Sequence, residues 1–180
     1  MTFSMGTLET PRVTLQFNGL FDFDGMYAAI IDWAKNYGYM WNELDYKHKV
    51  PSPTGAEQEF KWMMTKDVTH YIQYQILLTV HMWDLLEVQV DADGKKKTLS
   101  NGRLYIWFNG SMTYDWQGRF KGSPFFEKLG KWYYSLNKKE MEGGYYDTLY
   151  YRMLNLHAIV KKYFDMQGQK HHYKGYLGEN

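Results

Sequence analysis

His81, Asp84 and Glu87 place one imidazole and two carboxylates within a short stretch, the residue types from which general acid–base catalysis is assembled. No serine, threonine or lysine with a local nucleophile signature accompanies them, and polar side chains at the end of a strand are ordinarily there to be solvated. No catalytic residue is therefore assigned, and the chain reads as a non-enzyme. Asp22 and Asp24 could hold a divalent cation, but an aspartate ahead of an apolar helical repeat is first of all a helix cap or turn former. His70 and His81 have opposite parity in one predicted strand, so they point to different faces and cannot share an ion. His157 falls on an apolar helical stripe and reads as a core histidine. His171 and His172 lie in a tail without periodicity. No metal site and no cofactor are expected.

Nucleotide chemistry leaves glycine-rich loops between strand and helix, and neither the P-loop nor the dinucleotide spacing occurs. Lys95 to Lys97, Lys161, Lys162, Lys170 and Lys174, with Tyr173, could form a basic aromatic surface for a nucleic-acid backbone. A formal net charge of +1 argues against a dedicated nucleic-acid binder. Asn109-Gly110-Ser111 matches the glycosylation sequon, which carries no meaning without a secretory signal. The 180 residues contain no cysteine, which removes disulfides, thiolate metal sites and thiol nucleophiles together.

Aromatic residues are abundant: 17 Tyr, 10 Phe and 7 Trp make up 19% of the chain, while the mean hydropathy is −0.59. Tyrosine and tryptophan have an apolar body and a polar tip, so this composition suits a core together with contact surfaces that keep one wet side. Charge is unevenly distributed. Residues 1–94 carry 6 Lys/Arg and 13 Asp/Glu, whereas residues 95–180 carry 15 and 7. If the halves occupied separate faces, head-to-tail association would follow, whereas strands interleaved in one sheet would mix the charges. No leader-like segment and no run of 18 apolar residues is present, so a cytoplasmic protein, or one in a particle assembled in the cytoplasm, is expected, with no membrane partner.

Several elements must position these residues. Val13, Leu15 and Phe17 alternate as in a strand that ends at Asn18-Gly19, and Tyr27, Ile30, Ile31 and Ala34 mark a helix closed by Gly38. Trp41 to Val50 reads as a strand broken at Pro51 to Gly55. Phe60, Trp62 and Met64 give the next strand its inner face, and Ile72, Tyr74, Ile76, Leu78, Val80 and Met82 continue that parity. Asp93-Gly94 and Asn101-Gly102 are turn signals. From Leu104 to Trp116 the even positions are apolar, with Gly110 as an expected bulge or bend, and the odd side carries Tyr105 and Trp107, which need cover. Ser123-Pro124 opens a helix with Phe126, Leu129, Tyr133 and Leu136 at helical spacing. A second helix begins after Gly143-Gly144, with Leu149, Met153, Leu156, Val160 and Phe164 in one stripe.

The predicted fold is α+β: a curved antiparallel sheet with an N-terminal helix and a long C-terminal helix packed across it. Residues 1–166 form a single domain, and residues 167–180 a flexible or partner-docked tail. This order resembles the helix-grip arrangement of START-like domains from Val13 to Phe164, an architectural likeness that implies an apolar small-molecule site between sheet and C-terminal helix, lined by Tyr74, Met82, Met112, Tyr114, Trp116 and Met153. The segments Gly19 to Gly25, Arg119-Phe120 and Pro124 to Phe126 are similar to an uncharacterised family of small microbial and viral proteins, which implies no activity. The leading expectation is a non-catalytic structural or adaptor subunit of a larger assembly, such as a virion or another multi-subunit particle. Its partners would be other protein subunits or copies of itself, met through Tyr105, Trp107, Tyr173, Tyr176 and Leu177.

Overall fold

Two strands of about 20 residues dominate the architecture. The computed structural model describes residues 6–52, 55–92 and 95–164. Its order is β1 (Thr7–Glu9), β2 (Val13–Phe21), α1 (Phe23–Asn36), β3 (Met40–Ser52), β4 (Gly55–Asp67), β5 (Ile72–Ala92), β6 (Lys95–Tyr114), α2 (Pro124–Glu140), a π-helical turn (Met141–Tyr146), α3 (Asp147–Lys161) and a 3₁₀ turn (Lys162–Phe164). The sheet is antiparallel in the order β1-β6-β5-β4-β3, and β2 also pairs with β6. The chain is therefore α+β, with an open, curved sheet, an N-terminal helix and a long C-terminal helical segment.

At about 3.3 Å per residue a strand the length of β5 spans roughly 65 Å, too long to lie flat. The register slips at Asp84-Leu85, where Trp83 pairs with Arg103 but Leu86 pairs with Asn101. Two residues of β5 thus oppose Gly102 alone, and Asp84 takes a left-handed φ of 54°. A Cβ on Gly102 would meet the Trp83 carbonyl oxygen at 2.8 Å. Asn101-Gly102 is therefore no turn: it is the point in β6 that accommodates the β5 bulge. Asn18-Gly19 does not end β2 either, because Gly19 sits opposite Gly102 and pairing continues to Phe21.

Gly110, expected as a bulge, lies in unbroken register with Ile76. Its missing side chain instead admits Thr10. Thr10 N–H donates to the Gly110 carbonyl at 2.8 Å, and Gly110 N–H donates to Thr10 Oγ1 at 3.1 Å. His70, expected in a strand, lies in the turn before β5.

One sheet face holds the core. Leu104, Ile106, Phe108, Met112 and Tyr114 meet Trp62, Met64, Ile72, Tyr74, Ile76, Leu78, Val80 and Met82 beneath α1 and α3. α1 is capped by Asp22, whose Oδ1 accepts from Gly25 N–H at 3.0 Å, and Gly38 follows its end with φ 71°. α3 buries Leu149, Met153, Leu156 and Val160, one stripe at helical spacing. Trp33 Nε1 ties α1 to α3 by donating to Asn155 Oδ1 at 2.9 Å. Gly143-Gly144 does not separate two helices, because helical structure runs without a break from Pro124 to Phe164 through the π-helical turn.

Candidate interaction surfaces

The sequence periodicity of α2 marks a sticky side, and the structure turns that side to solvent. Ser123 caps the helix, its hydroxyl accepting from Phe126 N–H, and Pro124 follows at the first helical position. Phe125, Leu129, Trp132 and Leu136 recur at four-three-four spacing, the seam of a helix that packs on another helix. Phe125 is 70% exposed, Trp132 60% and Leu136 63%, and Phe126 and Tyr133 broaden the stripe. The face toward the body is narrow: Gly130 is the buried residue of α2, and Tyr134 lies edge-on to Tyr114 at 5.1 Å. Lys128 and Lys139 flank the exposed stripe.

A second surface is the sheet face away from the helices. Tyr105 and Trp107 lie there half-buried, ring centroids 4.2 Å apart. His81 stacks on Trp83 at 3.8 Å, and the Arg103 guanidinium lies 5.9 Å from the Trp83 ring. Towards β3 this face becomes an ion-pair ladder of Asp45, Lys47, Glu59 and Lys61. Acidic and basic halves also meet across β5 and β6, where Asp91 pairs with Lys96 in register. The charges of the two halves interleave within one sheet.

His81, Asp84 and Glu87 each take a different partner. His81 Nε2 contacts Glu57 Oε1 at 2.8 Å, Asp84 pairs with Arg103 at 2.7 Å, and Glu87 sits opposite Ser100 on another part of β5. Asp22 also binds Lys97 at 2.6 Å. Burial pushes the Asp22 carboxyl up, but the Lys97 ammonium and the Gly25 amide outweigh it and hold its pKa below the usual range. Among the described residues no three His, Asp or Glu side chains gather where they could hold a metal ion.

Of the six side chains expected to line an apolar site, Tyr74, Met82, Met112, Tyr114 and Met153 belong to the packed core. Trp116 lies apart, beyond β6, donating from Nε1 to the Thr69 carbonyl at 3.1 Å. The turn that carries it is organised by Asp115, 2% exposed, whose carboxylate accepts from Arg119 N–H at 2.8 Å and Phe120 N–H at 3.1 Å. Tyr173, Tyr176 and Leu177 lie outside the described residues.

Sequence reasoning missed the end of the sheet where the π-helical turn sits. The Tyr74 hydroxyl donates to the Tyr145 carbonyl at 2.5 Å, a carbonyl in the wider π turn. On one side Tyr71, Phe120, Tyr133, Arg119 and Tyr145 line a cavity of about 390 Å³. Burial, then the Asp115 charge and two neighbouring tyrosines, push the Tyr71 hydroxyl up to about 12. On the other side Lys66, Val68, Tyr74, Tyr145, Thr148 and Arg152 line a cavity of about 350 Å³. These residues are distant in sequence and share no motif. The tyrosine pair Tyr145-Tyr146 directly after Gly143-Gly144 was the only local sign.

No protein-family model matches the chain, and no curated protein sequence is similar to it. No helix among the described residues is long and apolar enough to cross a membrane.

Proposed function

We propose that this chain is a non-catalytic structural or adaptor subunit of a larger assembly, such as a virion or another multi-subunit particle, and that the outward face of α2 is its principal contact. The observation that carries the reading is that α2 exposes Phe125, Trp132 and Leu136 while the body already has a packed core without them. A contiguous apolar stripe left in water is unfavourable, and such patches on folded proteins mark contact sites. Covering one large apolar side chain is worth about 1.5–3 kcal/mol, so several together can offset the several kcal/mol that association costs. Lysines along the stripe favour a partner with an acidic rim.

A basic amphipathic helix also suits a membrane surface. Glu140 falls on the apolar side at the end of α2 and disfavours approach to anionic headgroups. The aromatic outer sheet face supplies a second contact that a membrane would not use. A module holding an apolar ligand between sheet and α3 would require Met82, Met112 and Met153 to part from a filled core, so the adaptor reading is preferred.

The test is the size of the species containing the chain in extracts of cells that make it, measured by sedimentation for the natural chain and for Trp132→Glu/Leu136→Glu. A large species that shrinks to monomer in the variant supports the proposal. Equal size for both chains, or a monomer in both, overturns it.

A further inference from the structure

The cavity between the end of β4 and the π-helical turn gathers two cations that form no ion pair among the described residues. Lys66 Nζ donates to the Tyr37 carbonyl at 2.6 Å and lies 5.8 Å from the Tyr39 ring centroid. The Arg152 guanidinium, on α3, lies 5.5 Å from the Tyr37 ring. Tyr39 thus stands between the two, 4% exposed. Its hydroxyl is buried beside the Arg152 guanidinium, behind the cavity wall. Neither Lys66 nor Arg152 forms an ion pair among the described residues. The carboxylate on the cavity wall, Glu140, stands beyond ion-pair distance of both.

Two positive groups held on one wall repel, so this arrangement is poorer empty than occupied. An oxyanion would answer both groups, since ammonium and guanidinium are donors. Tyr74, Tyr145 and Val68 give the rest of the wall an aromatic and apolar surface against which an organic group can lie. We propose that this cavity binds a small organic oxyanion, a carboxylate or phosphate monoester carried on an aromatic or similarly flat body, with Lys66 and Arg152 holding the charged end. Burial and the neighbouring Arg152 charge already hold the Lys66 ammonium below the usual lysine range, and a bound anion would reverse that direction. The site is independent of the α2 surface.

The experiment measures the melting temperature of the full chain with phenyl phosphate, benzoate or neutral benzyl alcohol at constant ionic strength. A saturable rise with at least one of the two anions and none with the alcohol is expected. Phenyl phosphate acting alone marks a phosphate monoester site, and benzoate acting alone a carboxylate site. Lys66→Gln and Arg152→Gln should each weaken binding roughly tenfold or more, the loss expected for one charge-assisted hydrogen bond. Lys49→Gln, whose lysine pairs with Glu57 at the opposite end of β4, should bind as the natural chain does. If Arg152→Gln does not fold, Arg152→Lys should fold and bind more weakly than the natural chain. No rise with either anion, an equal rise with the alcohol, or equal affinity in folded Lys66 and Arg152 variants overturns the proposal.

Discussion

Trp132 and Tyr134 are two residues apart on α2 and face opposite ways: the Tyr134 ring meets Tyr114 edge-on at 5.1 Å, whereas Trp132 is 60% exposed. The larger aromatic therefore contributes nothing to the core of this chain. Trp132→Glu should change monomer stability by no more than about 0.5 kcal/mol, while Tyr134→Ala should cost on the order of 1–3 kcal/mol. Denaturant unfolding of the two variants checks this, and a larger loss from Trp132→Glu would place the stripe inside the fold.

The register of β6 can be tested at two positions five residues apart. Phe108 is fully buried, and Phe108→Ala should cost about 3–5 kcal/mol. Thr113 is on the opposite face, where its hydroxyl lies 3.3 Å from that of Thr7 in an exposed contact. Thr113→Ala should cost less than about 1 kcal/mol. Similar denaturation midpoints for the two variants would contradict the register.

Two glycines should respond in opposite directions. Gly102→Ala forces a methyl toward the Trp83 carbonyl at 2.8 Å, a backbone atom that cannot move cheaply, and should destabilise by about 1–3 kcal/mol. Gly143 is helical with open space around its Cβ position, so Gly143→Ala should stabilise by about 0.5–1 kcal/mol. Thermal unfolding distinguishes these outcomes, and a neutral Gly102→Ala would remove the bulge argument.

The alternation in β4 to β6 was legible as far as Met82 and Tyr114, because a sheet with one buried face writes its register into residue parity at Trp62, Leu78 and Phe108, but neither the β5 bulge nor the departure of Trp116 from the sheet was. The Asn-Gly pairs misled for a physical reason. Asn18-Gly19 and Asn101-Gly102 answer each other across β2 and β6, and the glycine in β6 serves the β5 bulge, so a residue type favoured in turns was needed inside a sheet. Gly143-Gly144 misled similarly, since the π turn absorbs them without breaking the helix. The spacing of Phe126, Leu129, Tyr133 and Leu136 marked an apolar side of α2 but not the Phe125 and Trp132 that make its most exposed part, and periodicity states only that one side of a helix is apolar. Whether this chain covers it depends on where α2 leaves the body. The Lys66 and Arg152 cavity was illegible, because its donors come from β4 and α3 and meet only through the fold.

His157 lies edge-on to Phe108 at 5.3 Å, and its Nε2 is buried without a hydrogen-bond partner. Burial, then the Lys161 charge, hold its pKa below 6.5, with the Thr14 backbone opposing. The folded chain therefore binds a proton less readily than the unfolded chain, and its contribution is intact above pH 6.5 and lost as pH falls through the depressed folded value. His157→Phe should flatten the dependence of melting temperature on pH just below 6.5. An unchanged slope in that variant would mean that His157 is not held neutral by the fold.

If the chain is an adaptor, the outward face of α2 is covered when the chain is at work. Lys128 and Lys139 stand along the exposed stripe, which makes amine cross-linking of the chain in its native assembly, read by mass spectrometry, the direct measurement. Cross-links from these lysines into a second polypeptide or a second copy are expected, lost in Trp132→Glu/Leu136→Glu while cross-links within β3 and β4 at Lys47, Lys49 and Lys61 remain. Cross-links from α2 confined to its own chain, in an assembly otherwise intact, would contradict the adaptor reading.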